Sequence, residues 1–461
     1  MGTKDVSTTR RLFFADALLP DGWARNVRVS IADGVITDVT VDADARDCVR
    51  IDGIAIPGLP NLHSHAFQRG MAGLAERRGP ANDSFWTWRD VMYRFLGRLT
   101  PDDVQAIAAY AYAEMLERGF TAVGEFHYLH HNADGMPYAD IAEMGSRIVA
   151  AASETGIGLT LMPSFYAYGG FGGATANPGQ RRFLNDPERF LKLVDRTRAI
   201  AACHPSSVVG IAPHSLRAVT PESFVKVVDA TTTGPIHIHV AEQTREVEDC
   251  VAWSGARPVA WLLDNMPVDA RWCLIHATHM TEDETLRAAA SEAVAGLCPI
   301  TEASLGDGIF NGPEFLQAGG RFGVGSDSNI EIDAAGELRL LEYSQRLGRR
   351  GRNLMTIEAN ESTGARLLTA ALSGGAQALG RPIGAIAAGV RADIVVLDGE
   401  HTAFSTVNRE HWLDSWIFVA GQSAVKAVFV SGVKVVDAGR HVHHDAITAR
   451  YRATMRKLTD A

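Results

Sequence analysis

The sequence predicts an α/β protein, a (β/α)8 TIM-like barrel with a small β-sandwich domain built from both chain ends. Eight short apolar runs alternate with amphipathic helical stretches after residue 58, which is the number and order of elements in such a barrel. Histidines and carboxylates follow the ends of these runs, where barrels of this class carry their catalytic groups. Strand-like runs at both ends of the chain supply the second unit.

The composition excludes several classes of protein. The chain has 461 residues, of which 46% are hydrophobic and 21% charged, as is ordinary for a soluble globular protein. Its formal net charge of −10 argues against nucleic acid or an anionic membrane as a partner, because those surfaces favour basic proteins. Five scattered cysteines without a Cys-x-x-Cys pair predict reduced thiols and a cytoplasmic location. The N-terminal residues lack the apolar segment of a signal peptide, and no apolar run is long enough to span a membrane.

Residues 1–57 and 380–444 are predicted to form the composite β-sandwich domain, and residues 445–461 a C-terminal helix. An Asp33-Gly34 turn separates two of the strand-like runs, as in an antiparallel hairpin. The first module is too short to bury a core alone, so its partners are expected at the other end of the chain. The predicted strands of this domain are Arg11–Ala15, Val27–Ala32, Val35–Val41, Cys48–Ile56, Ala392–Asp398, Val425–Ser431 and Val433–Ala438.

Residues 58–379 are predicted to form the metal-dependent barrel. Two of its helices begin with a threonine N-cap followed by proline, at Thr100-Pro101 and Thr220-Pro221. A doubly wound open sheet is the alternative architecture, but no Gly-x-Gly-x-x-Gly loop follows an early strand. The eight predicted strands are Leu59–Ser64, Ala122–Phe126, Gly158–Pro163, Val208–Ala212, Ile236–Val240, Cys273–His276, Ala293–Cys298 and Arg321–Ser326.

A His-x-His pair, His63 and His65, ends the first barrel run. Residues two apart in an extended strand point to the same side, so the two imidazoles can bind one transition metal. The pair alone is weak evidence, because two hydrogen-bonded histidines at a strand end are the commoner arrangement. His239 on the fifth run and Asp327 beyond the eighth change that balance. Three imidazoles and one carboxylate leave an open position for water on a divalent ion such as zinc.

Two further residues at the ends of runs are candidate catalytic groups. A bound metal makes water a competent nucleophile near neutral pH. Glu242, three residues after His239, is close enough to carry a proton from that water to a leaving nitrogen. His276 is either a further ligand or a group that orients the water. Asp327 or His276 would accept the first proton of the water.

Four motifs at these positions resemble the amidohydrolase superfamily, in particular its mononuclear aminohydrolase branch. The motifs begin at Pro57 (Pro-Gly-Leu-Pro-Asn-Leu-His-Ser-His), His239 (His-Val-Ala-Glu), His276 (His-Ala-Thr) and Gly325 (Gly-Ser-Asp-Ser). Two-metal members of that superfamily bridge their ions with a carboxylated lysine at the fourth strand, where this sequence has Ala-Pro-His at 212–214. The resemblance therefore implies one Zn²⁺ per chain, held by His63, His65, His239 and Asp327. It also implies a homodimer.

Further stretches resemble the deiminases of this superfamily that act on a linear amidine. They are His65–Arg69, Met71–Glu76, Asp83–Arg89, Glu125–Tyr128, Ala212–Arg217 and Cys298–Phe310. The resemblance implies zinc-dependent hydrolysis of N-formimino-L-glutamate to N-formyl-L-glutamate and ammonia, a step of histidine degradation. Among enzymes, another mononuclear aminohydrolase, a nucleobase or guanidine-type deaminase, is the alternative. A catalytically silent binding scaffold is the alternative outside enzymes, but such relatives lose the metal histidines or the carboxylate that this chain retains.

Five residues near the metal end of the barrel are candidate substrate-binding groups: Gln68, Arg89, Tyr128, His214 and Arg217. Arginine binds a carboxylate as a two-pronged donor, so the paired arginines favour a small dicarboxylate substrate over a neutral purine. Each residue also has a plainer explanation. Arg89 can stack on its aromatic neighbours, Gln68 can cap a helix, Tyr128 can lie at the rim, and His214 can be a hydrogen-bonded core histidine.

The glycine-rich segment 164–186 follows the third barrel run. No Lys-Ser/Thr follows its glycines, so it is predicted to be a loop over the substrate or a plain surface loop, not a phosphate loop. His237 is expected to pack in the core. Five other histidines are expected to be solvated: His130, His131, His441, His443 and His444.

Overall fold

The fold is that of a computed structural model, which describes residues 9–78, 83–204 and 206–459. Residues 1–8 of the predicted β-domain and 460–461 of the predicted terminal helix lie outside the described residues. The strands are β1 (Arg10–Leu19), β2 (Gly22–Ala32), β3 (Val35–Thr40), β4 (Val49–Pro57), β5 (Leu59–Ser64), β6 (Phe120–His127), β7 (Gly158–Phe165), β8 (Val208–Val209), β9 (Ala212–Pro213), β10 (Ile236–Val240), β11 (Trp272–His276), β12 (Val294–Leu297), β13 (Arg321–Val324), β14 (Ile394–Leu397), β15 (Val425–Val430), β16 (Val433–Asp437) and β17 (Arg440–His441).

Both ends of the chain contribute to one eight-stranded sheet. Its strand order is β17-β16-β15-β14-β4-β1-β2-β3, so the pair β4 and β14 joins the two chain ends. These two strands run antiparallel, with Pro57 opposite Ile394 and Ile54 opposite Leu397. The sheet has its own apolar core, which includes Phe14. The β-domain predicted from both ends is therefore found as a single sheet, while its exact boundaries stay a prediction.

The middle of the chain forms two arcs of parallel strands. One arc is β5-β6-β7-β8 with β9 beside β7, and the other is β10-β11-β12-β13. Single bridges join the arcs on both sides, between Ile211 and Ile236 and between Ser64 and Asp327. The predicted barrel strands are all found within two residues at each end, the fourth as the two short pieces β8 and β9. Their carboxyl ends meet on one face, as in a (β/α)8 barrel.

Helices connect the parallel strands and cover them. Thr100 accepts a hydrogen bond from the Asp103 amide and Thr220 from the Ser223 amide, which confirms the two predicted N-caps. No helix among the described ranges is long and apolar enough to cross a membrane. The helices are α1 (Phe85–Leu96), α2 (Pro101–Glu117), α3 (Glu143–Thr155), α4 (Pro187–Ala201), α5 (Pro221–Ala230), α6 (Thr244–Ser254), α7 (Pro258–Asn265), α8 (Glu282–Ala290), α9 (Pro299–Leu305), α10 (Gly312–Gln317), α11 (Ala334–Arg349), α12 (Thr363–Leu379), α13 (Trp412–Ser415) and α14 (His444–Thr459).

A buried arginine fixes the end of α1 to the neighbouring loops. Arg182 is 3% exposed and donates to the carbonyl oxygens of His131 at 2.8 Å and Leu99 at 3.0 Å, and also to that of Leu96. Replacing Arg182 by methionine is expected to destabilise the fold by roughly 2–4 kcal/mol, because these buried acceptors lose their donor. Urea unfolding measures the change, with the exposed Arg181→Met variant as the control. A change below about 0.5 kcal/mol would show that other donors satisfy the carbonyls.

Candidate active site

The four predicted metal ligands converge at the carboxyl ends of the parallel strands. Asp327 Oδ1 lies 3.5 Å from His63 Nε2 and 3.4 Å from His65 Nε2. His239 Nε2 lies 3.1 Å from His63 Nε2. Zinc bonds of about 2.0–2.2 Å in a tetrahedron place neighbouring ligand atoms roughly 3.3–3.6 Å apart, so the spacing of these donors fits such an ion. All four side chains are buried.

Hydrogen bonds at Nδ1, the ring nitrogen that points away from the site, orient the imidazoles of His65 and His239. His65 Nδ1 lies 2.8 Å from the carbonyl oxygen of Phe126, and His239 Nδ1 lies 3.0 Å from that of His214. A carbonyl oxygen only accepts, so each Nδ1 carries the proton and donates it. Each Nε2 then presents its lone pair to the site, as metal-binding histidines do.

The ionisation states of the four donors also suit a divalent cation. Burial lowers the pKa of His63 to about 3 and lowers the pKa values of His65 and His239. Burial alone would raise the pKa of Asp327, but the hydrogen bond and charge of His63 and the charges of nearby imidazoles lower it overall. Three neutral imidazoles and one carboxylate are a donor set that zinc accepts.

The backbone around the site is held in an unfavourable conformation at several residues that are not glycine. Ala241, His276, Ala277 and Asp327 have φ values of 52°, 67°, 46° and 45°, in the left-handed region. Each lies at or just beyond the end of a parallel strand. Such residues cost about 1–3 kcal/mol each and concentrate at functional sites, where the surrounding structure holds them in place.

A buried amide network ties the end of β5 to the segment that follows β13. Asn329 Nδ2 donates to the carbonyl oxygens of Asp327 at 3.0 Å and His65 at 3.2 Å. Ser326 Oγ donates to Asn329 Oδ1 and accepts from Asn61 Nδ2, both at 2.6 Å. The network fixes the segments that carry two of the metal ligands. Sequence reasoning missed Asn329, although it lies only two residues after Asp327.

The three candidate catalytic residues surround a common point beside the metal ligands. His276 Nε2 lies 3.7 Å from Glu242 Oε1 and 3.8 Å from Asp327 Oδ2, which is longer than a hydrogen bond. His276 Nδ1 lies 3.2 Å from Glu302 Oε1, so Glu302 fixes the ring with Nε2 towards the other two carboxylates. The sequence analysis did not predict a role for Glu302 in the site, because that role depends on the fold placing it beside His276.

Burial and neighbouring charges shift the proton affinities of this group. Burial raises the pKa of Glu242 to about 7, although the charges of His276 and Arg217 oppose the rise. A carboxyl group with a pKa near 7 can both accept and release a proton at neutral pH. Burial lowers the pKa of His276, but Glu242, with Glu302 and Asp327, raises it to about 10 overall.

One cavity opens above this centre, and all the predicted substrate-binding residues line it. Its lining also includes five of the predicted metal and catalytic residues, His65, His239, Glu242, His276 and Asp327, while His63 lies fully buried beside them. The walls are otherwise largely aromatic and apolar, and five of the lining residues belong to α1. The remaining lining residues are Gln68, Phe85, Trp88, Arg89, Met92, Tyr93, Tyr128, Tyr166, Phe183, His214, Arg217 and Leu305.

The two arginines of the cavity differ in their partners. Arg89, on α1, has its Cζ 4.5 Å from the ring centre of Trp86, and it has no carboxylate partner among the described residues. Arg217 lies near two buried carboxylates, with Nη2 3.8 Å from Glu242 Oε2 and Nε 3.9 Å from Glu246 Oε1. Arg89 therefore stacks on an aromatic ring, as its plainer explanation predicted. It also lines the cavity, and no carboxylate among the described residues pairs with its charge.

The other predicted binding residues, Gln68, Tyr128 and His214, also line the cavity. Gln68 Nε2 donates to the Tyr128 hydroxyl at 2.8 Å, so Gln68 is engaged in the site and is not a helix cap. His214 lies with its ring centre 4.9 Å from that of His239 and 4.6 Å from that of Tyr166. His214 thus lies directly beside His239, one of the four predicted metal ligands.

Some of the histidine predictions were wrong. His130, His131 and His441 are buried, each with a ring nitrogen 2.9 Å from a backbone carbonyl oxygen. His443 is exposed, as predicted, and His237 is buried in the core, also as predicted. Sequence cannot separate the first three from solvated histidines, because the carbonyls that they bond lie on other segments.

The segment 164–186 contributes less to the cavity than its glycines suggested. Only Tyr166 and Phe183 of this segment line the cavity, whereas the glycine cluster at 169–173 does not. Helix α1 instead supplies five lining residues, among them Arg89 and Trp88. Helix α1 therefore contributes more of the cavity lining than the segment 164–186 does.

Comparison with known proteins agrees with this geometry. The family model described as "Amidohydrolase family" matches residues 54–435. The chain belongs to the amidohydrolase family. A second model, "Formimidoylglutamate deiminase HutF, N-terminal domain", matches residues 9–47. The predicted resemblance to the superfamily is thereby confirmed.

Individual relatives extend the similarity over the whole chain. A formimidoylglutamate deiminase of Pseudomonas aeruginosa is 51% identical over 451 residues, which cover 97% of this chain and 99% of the relative. The crystal structure of an amidohydrolase from Brucella melitensis has a TM-score of 0.94 and 52% identity, covering 98% of this chain and 100% of that chain. An adenosine deaminase from Xanthomonas campestris with bound zinc has a TM-score of 0.81 at 22% identity and 98% coverage of both chains, so it supports the fold alone.

Proposed function

We propose that this chain hydrolyses N-formimino-L-glutamate to N-formyl-L-glutamate and ammonia, a step of histidine degradation. The observation that carries the proposal is its 51% identity, over 97% of the chain, with the formimidoylglutamate deiminase of Pseudomonas aeruginosa. The match of residues 9–47 to the N-terminal domain of that deiminase family supports it. A cavity with two arginines beside a candidate metal centre suits a small substrate with two carboxylates.

His63, His65, His239 and Asp327 would hold one divalent ion, which we propose to be zinc. Their spacing, their oriented Nε2 atoms and their ionisation states support this assignment. When bound, such an ion supplies the Lewis acidity that activates water near neutral pH. We assign no second metal, because no lysine lies at the end of β9, where Pro213 and His214 follow Ala212.

The residues of the chain then carry out the proton transfers. Water adds to the formimino carbon, and Asp327 takes the proton that the water loses, because the raised pKa of His276 keeps that ring protonated at neutral pH. Glu242 delivers that proton to the terminal nitrogen. Transfer of the second proton of the added water to the same nitrogen lets the carbonyl form, the bond between that nitrogen and the carbon breaks, and ammonia leaves. Glu302 holds His276 in place through the 3.2 Å contact to Nδ1. A pKa of about 7 suits Glu242 to accept and donate in turn.

Five further residues are proposed to bind and orient the substrate. Arg89 and Arg217 would hold its carboxylates, which do not change charge during the reaction. Tyr128 and Gln68, already joined by a hydrogen bond, would complete the wall around the amidine. His214, beside His239, is placed to contact the formimino nitrogen. Holding the substrate at several points converts binding energy into correct orientation at the reacting carbon.

The proposal is tested by assaying ammonia release from N-formimino-L-glutamate beside a panel of purines, pyrimidines and guanidino acids. We expect rapid turnover of the first compound and little turnover of the others. Preferential deamination of a nucleobase or a guanidino acid would overturn the proposed substrate and leave the family assignment intact.

Metal content is the next expected result. We predict about one tightly bound zinc per chain, and loss of both metal and activity in His239→Ala and Asp327→Ala. Elemental analysis of the purified enzyme and of each variant measures this, and Asp445→Ala, on the surface of α14, is the control. Two metals per active chain would contradict the mononuclear assignment.

We also propose that the enzyme acts in the cytoplasm as a homodimer. All five cysteines are free thiols, as suits a reducing compartment. The dimer rests on the family resemblance, and sedimentation of the purified protein tests it.

A further inference from the structure

A third buried carboxylate lies behind the two groups that the proposed function places at the substrate. Glu246 is 1% exposed and lies in the first turn of α6. Its Oε2 accepts a hydrogen bond of 3.1 Å from the backbone amide of Glu242. Its Oε1 lies 3.9 Å from Nε of Arg217, and neither of these two atoms has a hydrogen-bond partner among the described residues. Glu246 therefore contacts both the segment of the proton carrier and the charge of a substrate-binding arginine.

Arg217 lies between two carboxylates and forms a hydrogen bond with neither. The distances of 3.8 Å to Glu242 Oε2 and 3.9 Å to Glu246 Oε1 are nearly equal and exceed hydrogen-bond length. A buried guanidinium without a counter-charge is costly, and it moves to whatever carboxylate remains. If Glu246 were neutral, Glu242 would be the remaining one. Arg217 would then pair directly with Glu242 and withdraw both groups from the substrate.

We propose that Glu246 is a positioning residue that balances the charge of Arg217 and so keeps Arg217 from pairing with Glu242. This inference rests on the proposed function, because it assumes that Arg217 binds a substrate carboxylate and that Glu242 carries the proton. Because the balanced guanidinium keeps its N–H donors free, an incoming carboxylate can take them in a two-pronged contact. Glu246 thereby helps to select a substrate that carries a carboxylate at that place.

Glu246→Gln is the informative variant. The glutamine oxygen still accepts from the Glu242 amide, so the bond to the backbone is kept while the negative charge near Arg217 is lost. We expect kcat/KM for N-formimino-L-glutamate to fall roughly 10–100-fold, with KM raised and kcat lowered together. Glu246→Asp restores the charge and is expected to recover part of this loss. The exposed Glu248→Gln, on the same helix, is the control for loss of a charge and should be unchanged.

A double-mutant cycle with Arg217→Met separates this role from a merely structural one. If Glu246 acts through Arg217, Glu246→Gln has little further effect, less than about threefold, once Arg217 is methionine. An equal fall in kcat/KM in both backgrounds would overturn the inference and indicate that Glu246 only supports the backbone of Glu242. Metal content and melting temperature of each variant exclude a general loss of structure.

Binding of the product provides a readout besides turnover. Calorimetry with N-formyl-L-glutamate should give a dissociation constant roughly tenfold weaker for Glu246→Gln and unchanged for Glu248→Gln. If Glu246→Gln binds N-formyl-L-glutamate with the same dissociation constant as the wild type, the inference about Glu246 is overturned and the proposed function stands. A wild-type enzyme that neither binds N-formyl-L-glutamate nor turns over N-formimino-L-glutamate would overturn both.

Discussion

Glu242→Gln is expected to lower kcat for N-formimino-L-glutamate roughly 10²–10⁴-fold, because glutamine keeps the shape of the side chain and cannot carry a proton. Glu242 lies 3.7 Å from His276 Nε2 and lines the cavity, but it is not one of the four proposed metal ligands. Metal content should therefore stay near that of the wild type. Steady-state ammonia release and elemental analysis of the same preparation measure the two quantities.

The result also distinguishes between the two candidate proton carriers. Near-wild-type kcat in Glu242→Gln would contradict the assignment and make His276 the proton carrier to test next. The exposed Glu248→Gln variant removes the same charge six residues further along the chain and is expected to have no effect. Comparing the two variants thus separates proton transfer from a general change in electrostatic potential.

Arg89→Met and Arg217→Met are each expected to lower kcat/KM for N-formimino-L-glutamate by roughly 2–5 kcal/mol, because a substrate carboxylate loses its partner in a desolvated pocket. Part of this loss should appear in kcat, since contacts with remote groups also orient the reacting carbon. Arg89 gives the clearer result, because no carboxylate of the described residues pairs with it. Zinc content and folding should survive in both variants.

The control for the arginine variants is Arg94→Met, which changes an exposed arginine of α1. Assays with a neutral nucleobase beside N-formimino-L-glutamate test the charge argument directly, because a substrate without carboxylates should not depend on either arginine. Wild-type kcat/KM in both arginine variants would contradict the dicarboxylate pocket. A nucleobase or guanidino substrate would then be favoured.

The barrel strands and the convergence of the four proposed metal ligands were predictable because their signals are local. A strand that is buried on both sides is a continuous apolar run, and a parallel barrel places every carboxyl end on one face. Once His63, His65, His239 and Asp327 are assigned to such ends, their convergence follows from the topology. The structure places Asp327 Oδ1 3.4–3.5 Å from the Nε2 atoms of His63 and His65, and the Nε2 atoms of His63 and His239 3.1 Å apart.

The supporting residues were not predictable, because their roles depend on contacts between distant segments. Glu302 contacts His276, which lies 26 residues earlier in the sequence. Asn329 donates a hydrogen bond to the carbonyl oxygen of His65, which lies 264 residues earlier. Nothing in the periodicity of the sequence marks such pairs. The same limitation explains the wrong prediction for His130, whose ring lies 2.9 Å from the carbonyl of Ser164. Buried polar side chains are recognisable only when their partners are known.

The pairing of β4 with β14 has a consequence for how the protein is made. β4 ends at Pro57, and its partner β14 begins at Ile394, about 340 residues later. At a synthesis rate of roughly 5–20 residues per second, the first four strands leave the ribosome roughly 20–70 s before the edge of β4 can be paired. Barrel strands therefore have time to assemble first, and the sheet is completed last. We expect ribosome-bound chains that stop before residue 394 to be cleaved by protease between residues 10 and 57, and chains released after synthesis to resist cleavage there.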